Sequence, residues 1–263
     1  MKRIASLFLA LMMMAALIPA AVAEEGDLLD RILARGKIIV GTEGTYPPNS
    51  YYDENGNLVG FDVEVAAAIA AKLGVDVEYV VYDWASIFTM FDNGQIDTVI
   101  NEVEVNPERA EKYDFTEPYV YIYGAVLVRG DNNDIVNFES LAGKRAAQNA
   151  TSTWGQRAES YGATLVPVTG DAETFELILY GRADFSINAE TAFSHYLNEH
   201  PDANVRVAFR TESAITRSVV PAPKGNERFI EAVNKALEEL REDGTLAALS
   251  IKYFGADFSS PAE

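Results

Sequence analysis

The segment Asp97–Tyr119, DTVINEVEVNPERAEKYDFTEPY, joins a short apolar strand, a polar turn and the start of a helix. Thr98–Ile100 predicts the strand, and the Pro-Glu-Arg triplet after the turn is typical of a first helical turn. Arg109 therefore follows the end of a strand closely. Its planar guanidinium can bind a carboxylate through two parallel hydrogen bonds. A surface ion pair with Glu108 or Glu111 is the alternative that the segment leaves open.

Residues 1–23 have the pattern of a cleavable export signal. Lys2-Arg3 gives a positive start, Ile4–Leu17 is apolar, and Ala21-Val22-Ala23 is a small-residue cleavage site. The apolar run is shorter than the roughly 20 residues that span a bilayer. The sequence contains no cysteine, which excludes disulfides and a lipid-modified cysteine. We therefore expect a freely diffusing periplasmic protein.

The formal net charge of −19 sets limits on the partners of the protein. So acidic a chain is a poor match for nucleic acid or for anionic lipid. The sequence also lacks the HExxH pattern of a zinc site, a nucleophile elbow and a phosphate-binding loop. No cofactor, no metal and no catalytic group are predicted.

Strands alternate with helices in two series, which indicates helix-covered parallel sheets. The predicted strands are Lys37–Gly41, Val77–Tyr82, Ile96–Ile100, Ala125–Arg129, Thr164–Val168, Ala183–Ile187 and Val205–Phe209. The predicted helices are Asp62–Leu73 with Asp62 as N-cap, Ala85–Asn93, Ser152–Tyr161, Ala172–Tyr180, Glu190–Glu199, Asn226–Glu242 and Leu246–Tyr253. A hairpin turn is predicted at Asn55-Gly56, and the series restarts after Gly124. The last two helices have no predicted sheet of their own.

Four further motifs occur in order along the chain. They are GTEGTYPP at Gly41–Pro48, LVGFDVE at Leu58–Glu64, GQID at Gly94–Asp97 and KYFG at Lys252–Gly255. Together with the segment around Arg109, they resemble the periplasmic amino-acid-binding proteins of ABC importers, the family 3 solute-binding proteins. The resemblance covers nearly the whole chain after the signal peptide.

That resemblance implies an α/β fold of the type II periplasmic-binding, or Venus-flytrap, class. Each of its two lobes would be a helix-covered, mostly parallel sheet, and two segments would cross between the lobes, near Ile122–Ala125 and Thr216–Val220. We expect residues 24–122 plus 219–263 in the first lobe and 123–218 in the second. The implied function is a monomeric, non-enzymatic subunit that captures a polar amino acid and meets an inner-membrane permease transiently. A dehydratase-like enzyme on the same fold and a ligand-sensing domain are the alternatives.

The resemblance also assigns roles to individual side chains. Arg109 would bind the α-carboxylate of the ligand from one lobe. Thr151-Ser152-Thr153, at a predicted helix start, would bind it from the other lobe, although one of these residues could simply cap the helix. Tyr46 and Trp84 would enclose the ligand side chain. A loop tyrosine and a core tryptophan are the alternatives for that pair.

Several positions depart from the family pattern. Ala189, flanked by the candidate ligand-binding residues Asn188 and Glu190, stands where an ammonium-binding aspartate is common. Glu190 is one substitute for it, and the equal alternative is that Glu190 is the first acidic residue of the following helix. Asn49 replaces an aromatic residue of the family. Glu104 stands where the family has a hydroxyl, and it could pair with Arg109 or bind a cationic ligand.

Glu43, Glu102 and Glu104 together indicate an acidic pocket, which favours a basic or extended polar amino acid. The Asn101–Arg109 run is instead most similar to the cystine-binding branch of the family. The sequence therefore predicts a polar amino acid and leaves its identity open.

Overall fold

The computed structural model describes residues 26–261, without the side chains of residues 212–215. The predicted signal peptide at 1–23, including Ile4–Leu17 and the cleavage site after Ala23, lies outside the described residues. Among the helices that are described, none is both long enough and apolar enough to cross a bilayer.

The elements of the chain alternate as the sequence predicts. The first half contains α1 (Leu28–Arg35), β1 (Lys37–Thr42), β2 (Thr45–Tyr46), β3 (Ser50–Tyr52), β4 (Leu58–Val59), α2 (Phe61–Leu73), β5 (Asp76–Val81), α3 (Trp84–Asp92), β6 (Thr98–Val99), α4 (Pro107–Lys112) and β7 (Tyr113–Phe115). The second half contains β8 (Val120–Arg129), a 3-10 turn (Phe138–Leu141), β9 (Arg145–Gln148), α5 (Thr153–Ser160), β10 (Thr164–Pro167), α6 (Asp171–Leu179), β11 (Phe185–Ala189), α7 (Glu190–Glu199), β12 (Val205–Ser218), β13 (Pro221–Pro223), α8 (Glu227–Glu242) and α9 (Thr245–Phe254).

The first lobe is built on a parallel sheet in the order β5-β1-β6. The central strand β1 buries Ile38 and Val40, which are each 1% exposed. Beside this sheet, β2, β3 and β4 form a small antiparallel sheet. The pairing of β3 with β4 confirms the predicted hairpin around Asn55-Gly56.

The start of α2 differs from the prediction. Gly60, not Asp62, occupies the N-cap position. Asp62 lies in the first helical turn, is 1% exposed and accepts a hydrogen bond of 2.8 Å from the Tyr119 hydroxyl. Gly60 has a φ of 136°, and a Cβ there would stand 2.2 Å from the Asn49 carbonyl oxygen. Glycine is therefore required at this position.

The second lobe contains a five-stranded sheet in the order β10-β9-β11-β8-β12. The pairs β10–β9 and β9–β11 are parallel. The pairs β11–β8 and β8–β12 are antiparallel. The sheet of this lobe is therefore mixed, and the predicted parallel arrangement holds only for its first three strands.

Two long strands, β8 and β12, connect the lobes. They pair antiparallel from Val205 opposite Arg129 to Ser218 opposite Val120, with irregular register after Arg210. The predicted strands Ala125–Arg129 and Val205–Phe209 were too short, because each continues through the crossing. The pairing supplies hydrogen-bond partners for the backbone N–H and C=O groups of the two crossing segments.

The end of the chain packs on the first lobe. β13 pairs with β7, so the C-terminal segment contributes a short strand that the sequence did not predict. Helix α8 buries Phe229, Val233, Leu237 and Leu240, at the spacing of one helical face, and α8 contacts α2. Both ends of the described chain are therefore part of the first lobe.

Candidate functional site

A cavity lies between the two lobes, at the carboxyl ends of strands from both sheets. Ligands of open α/β sheets bind at such ends, where loops and helix starts present polar groups. The predicted site residues that line this cavity are Glu43, Tyr46, Trp84, Glu102, Ser152, Thr153 and Asn188. The sequence analysis did not predict Asn101, Gln148, Trp154 and Asp171, which also line it.

Three carboxylates from different segments face this space, which we call the acidic cavity. Glu43 follows β1, Glu102 follows β6, and Asp171 begins α6 in the second lobe. Glu43 and Glu102 are 9% and 7% exposed. Among the described residues that line the acidic cavity, none is lysine, arginine or histidine.

The hydrogen-bond partners of these carboxylates are neutral side chains. Glu43 accepts from the Asn101 amide at 3.2 Å, and Asp171 accepts from the Asn188 amide at 3.3 Å. Glu102 accepts from the Tyr46 hydroxyl. One oxygen of Glu102 and one of Asp171 are buried without a hydrogen-bond partner. Buried charges in that condition are costly unless a cation or a proton compensates them.

Burial shifts the acid–base behaviour of the cavity. It raises the pKa of Glu43 to about 7. Burial, with a contribution from the nearby Glu43 carboxylate, raises the pKa of Asp171 to about 8. Burial also raises the pKa of Glu102 well above its usual range. An empty cavity therefore keeps protons that a bound cation would displace.

The backbone of Glu102 is strained. Its φ of 51° lies in the left-handed region, which side chains other than glycine adopt at a cost of about 1 kcal/mol. Asn49, which is 1% exposed, donates to the Glu102 carboxylate from 3.4 Å. The fold thus holds this carboxylate in the cavity through a conformation that its local sequence does not favour.

Tyr46 and Trp84, predicted to enclose the ligand side chain, both line the acidic cavity. The Tyr46 hydroxyl oxygen also lies 2.9 Å from the side-chain carbonyl oxygen of Asn188 in the second lobe. Trp84 packs edge-on against Phe88, and its indole nitrogen is buried without a partner. Trp154 adds an aromatic wall from the second lobe.

Arg109 lies in a second cavity that shares Trp84 with the first. Its guanidinium carbon is 4.3 Å from the Phe88 ring centroid and 5.2 Å from that of Trp84. Burial lowers the pKa of Arg109 to about 10. The side chain is 6% exposed, so the surface-arginine alternative is wrong, and Glu108 pairs with Lys112 instead.

The second cavity also receives residues from the opposite lobe. Asn106, Arg109 and Lys112 line it from the first lobe, and Ala150 and Thr151 from the second. The structure therefore places Arg109 between the lobes, but it does not bring Arg109 into the same cavity as Tyr46. Thr151 likewise lies apart from Ser152 and Thr153, and its hydroxyl donates to the Asn149 side chain at 2.9 Å.

Glu104 does not form the ion pair with Arg109 that we considered. Arg109 donates to the backbone carbonyl of Glu104, at 3.0 Å. The Glu104 carboxylate instead crosses to the second lobe, where it accepts from the Thr153 hydroxyl and from Arg157, the latter at 2.9 Å. A carboxylate of the protein thus occupies the start of α5, while Ser152 caps that helix by accepting from the Gly155 N–H.

Of the two residues that flank Ala189, the structure directs only Asn188 to the acidic cavity. Asn188 lines it and contacts Tyr46 and Asp171. Glu190 pairs with Arg210 within the second lobe. The carboxylate that this lobe does present is Asp171. Within residues 26–261, no group of histidine and carboxylate side chains has an arrangement that could hold a metal ion.

Comparison with known proteins agrees with this architecture. The family model for bacterial extracellular solute-binding proteins, family 3, matches residues 38–256. The chain is 38% identical over 234 residues to a probable amino-acid ABC transporter-binding protein of Haemophilus influenzae, covering 89% of this chain and 91% of that protein. It is 37% identical over 238 residues to the L-cystine-binding protein TcyA of Bacillus subtilis, covering 90% and 88%.

Two solved structures extend the comparison. An ancestral arginine-binding protein bound to arginine superposes with a TM-score of 0.78 at 36% identity, covering 84% of this chain and 99% of that one. The L-cystine solute receptor of Neisseria gonorrhoeae, in an unliganded open conformation, gives a TM-score of 0.62 at 38% identity, covering 90% and 100%. The chain belongs to the bacterial extracellular solute-binding proteins of family 3.

Proposed function

We propose that this protein is the extracytoplasmic substrate-binding subunit of an ABC importer and that it captures a polar amino acid between its lobes. The observation that carries the proposal is the acidic cavity, where Glu43 and Glu102 face Asp171 across the cleft. The similarity to a probable amino-acid ABC transporter-binding protein and to a cystine-binding protein supports an amino acid as the ligand.

The two charged ends of an amino acid need different partners. The carboxylates of the acidic cavity can accept hydrogen bonds from an ammonium group. Among the described residues that line the two cavities, the cations are Arg109 and Lys112. We therefore expect the α-carboxylate to be bound by Arg109, assisted by Ser152 and Thr153 at the start of α5.

Binding in that orientation requires side chains to move. Trp84 stands between the acidic cavity and Arg109, and its unpartnered indole nitrogen means that its ring can rotate without breaking a hydrogen bond. Glu104 accepts a hydrogen bond from the Thr153 hydroxyl at the start of α5, and it would have to release that contact or share it with the ligand. Both movements involve residues, Trp84 and Glu104, that the sequence predicts to contact the ligand.

Contacts across the cleft support a closed arrangement of the lobes. Tyr46 reaches Asn188, and Glu104 reaches Thr153 and Arg157. The lower TM-score against an open relative, despite slightly higher identity, is the expected result when the lobes differ in orientation. A ligand enclosed in this way is desolvated and contacted by both lobes, which stabilises closure.

The remaining assignments follow from this role. We assign residues 24–122 plus 219–263 to the first lobe and 123–218 to the second. Residues 1–23 would direct export to the periplasm. There the protein would act as a monomer that meets an inner-membrane permease transiently, and it would bind and release the amino acid without converting it.

Isothermal titration calorimetry of the exported protein against a panel of amino acids tests this function. One-to-one binding of an amino acid, with the same compound recovered unchanged, is the expected result. Conversion of a prephenate-like acid, or no binding by any amino acid, contradicts the proposal.

A further inference from the structure

The acidic cavity contains more carboxyl groups than a single ammonium group can pair with. Its carboxylates come from three segments and both lobes, at Glu43, Glu102 and Asp171. After burial, the Glu43 carboxylate contributes to the raised pKa of Asp171, and the Asp171 carboxylate contributes to the raised pKa of Glu102. The three groups therefore act on the same small volume.

The nearby cations contact other groups. Arg157 pairs with Glu104 and lies on the face of Trp154, although its Nη1 is buried without a partner. Arg210 pairs with Glu190, and Arg109 lies on the faces of Trp84 and Phe88. The direct hydrogen-bond partners of the three carboxylates are amides and hydroxyls. Such groups hold the carboxylates in place but do not neutralise them.

Two orphaned oxygen atoms point to a missing cationic partner. The Glu102 side chain is more than nine-tenths buried, and its Oε1 has no hydrogen-bond partner. Asp171 Oδ2 is likewise buried without a partner. Native proteins rarely leave such atoms unpaired, so an external donor is the expected occupant. A metal ion is a poor candidate, because the described residues form no group with metal-ligand geometry.

The other walls suit an organic cation. Tyr46, Trp84 and Trp154 line the same cavity. Aromatic faces attract ammonium and guanidinium groups and pack against the methylene chain that separates two charges. The position of Glu104 matters here, because its pairing with Arg157 removes it from the set of carboxylates that the sequence analysis assigned to the pocket.

We propose that the cleft selects an amino acid that carries a second positive group, and that its two positive groups share Glu43, Glu102 and Asp171. This inference rests on the proposed function, and it adds Asp171 as the residue that supplies the second lobe's carboxylate in place of the aspartate missing at Ala189. A side-chain cation and the second ammonium of a disulfide-linked amino acid are two sources of the same chemistry. The experiment below separates them.

Calorimetry with matched ligand pairs tests the charge requirement. The pairs are arginine with citrulline, lysine with norleucine, and cystine with the mixed disulfide of cysteine and 3-mercaptopropionic acid, so that each pair differs by one positive group. At least one two-cation ligand is expected to bind about 100-fold more tightly than its match, the scale at which a buried charge is discriminated by a preformed partner. The pair that shows the preference identifies the source of the second cation.

Variants of the cavity locate the preference. Asp171→Asn and Glu43→Gln are each expected to reduce the ratio within the preferred pair by about tenfold. Glu176→Gln removes the same charge from an exposed position on α6 and serves as the matched control. It should change the ratio by less than about twofold, because exposed charges are screened. Circular dichroism of each variant establishes that it is folded, and the two cavity variants test the proposal independently.

The possible outcomes separate the two proposals. Equal binding within all three pairs, with a neutral amino acid still bound one-to-one, overturns the charge requirement and leaves the proposed function standing. A ratio that Asp171→Asn and Glu43→Gln leave unchanged also overturns it. No binding by any member of the panel contradicts the proposed function itself.

Discussion

The two cavities on either side of Trp84 differ in whether their carboxylates have partners. In the second cavity the carboxylates have partners: Glu108 pairs with Lys112 at 3.3 Å, and Asp92 accepts from the Tyr113 hydroxyl. In the acidic cavity, Glu102 and Asp171 each keep a buried oxygen without a partner. The carboxylates of the second cavity are thus paired as in an ordinary packed interface. The unpaired oxygens of the acidic cavity instead indicate a ligand-binding site.

This difference shows where the specificity of the protein is expected to reside. Arg109 is held by aromatic faces and a backbone carbonyl, an environment that suits any amino-acid carboxylate. The acidic cavity, by contrast, discriminates ligands by positive charge. One cavity would therefore recognise what amino acids have in common, and the other would recognise what distinguishes them.

The largest effect is expected from removing the charge of the second cavity. Arg109→Met keeps an unbranched side chain of similar length against Phe88 and Trp84, but it removes the guanidinium. Amino-acid affinity should fall by about 100-fold or more, as expected for the loss of a bidentate, charge-assisted contact. Calorimetry with the preferred amino acid measures the loss.

Two comparisons make the Arg109 test specific. Cadaverine has two ammonium groups and no carboxylate, so Arg109→Met should alter its binding far less than that of the amino acid. Lys224→Met removes an exposed cation and should leave both affinities unchanged. If amino-acid binding survives Arg109→Met, the assignment of the carboxylate to the second cavity is wrong.

The next effect concerns pH. Burial raises the pKa of Glu43 to about 7 and that of Asp171 to about 8, so both bind protons in an empty closed cavity at pH 6. A cationic ligand needs the ionised forms and must release those protons. Its affinity should therefore rise between pH 6 and pH 8, by up to about tenfold per pH unit for each proton released.

Calorimetry in buffers of different ionisation enthalpy counts the released protons. The titratable groups that act on the carboxylates of the cavity are also acidic or phenolic. Asp83 acts on Glu43, Glu43 acts on Asp171, and Tyr46, Asp62, Glu104 and Asp171 act on Glu102. None of them reverses the sign of the effect. Asp171→Asn should release fewer protons than the unaltered protein, and an affinity that falls with rising pH would contradict the account.

A smaller effect is expected from the contact that links the lobes without ligand. Glu104→Gln weakens the bonds to Thr153 and Arg157. The Arg157 side chain is 33% exposed, so the loss should be limited to about 1–2 kcal/mol. The empty protein should open more often, and small-angle X-ray scattering should report a larger radius of gyration. Asp184→Asn, which breaks an ion pair with Arg145 inside the second lobe, should leave that radius unchanged.

The smallest effect tests the strain at Glu102. Glu102→Gly relieves a φ of 51° and removes a buried carboxylate that has one oxygen without a partner. Since burial raises the pKa of Glu102, its carboxylate costs more stability as pH rises above the usual carboxylate range. The melting temperature of the empty variant should therefore increase by a few degrees at pH 8 and by less at pH 5, at roughly 2–4 °C per kcal/mol. A variant that melts lower than the original protein at pH 8 would show that this carboxylate is stabilising.

Local sequence patterns predicted most of the fold. The alternation of strands and helices, a helix cap within Thr151-Ser152-Thr153 and the turn at Asn55-Gly56 depend on neighbouring residues. They are present as expected, and Ser152 is the residue that forms the cap. The length of β12 was not predictable in the same way. Its polar second half is a strand because β8 pairs with it, from Ile215 opposite Tyr123 to Ser218 opposite Val120, and the paired residues are 92 to 98 positions apart along the chain.

The candidate site divides along the same line. Tyr46, Trp84 and Glu102 could each be predicted from the local motif in which the residue lies. Asp171 could not, because an acidic residue in the first turn of a helix is common for purely electrostatic reasons. Its position after a parallel strand was the available signal. Likewise, the contact of Glu104 with Arg157 depends on how the lobes meet, which no local pattern encodes.

A crystal structure of the protein with its preferred two-cation amino acid tests the central claim most directly. The account predicts donor nitrogens of both positive groups within about 3.2 Å of carboxylate oxygens of Glu43, Glu102 or Asp171, with the α-carboxylate on Arg109. A bound ligand whose positive groups face solvent or the second cavity, while those three carboxylates keep only neutral partners, would contradict it.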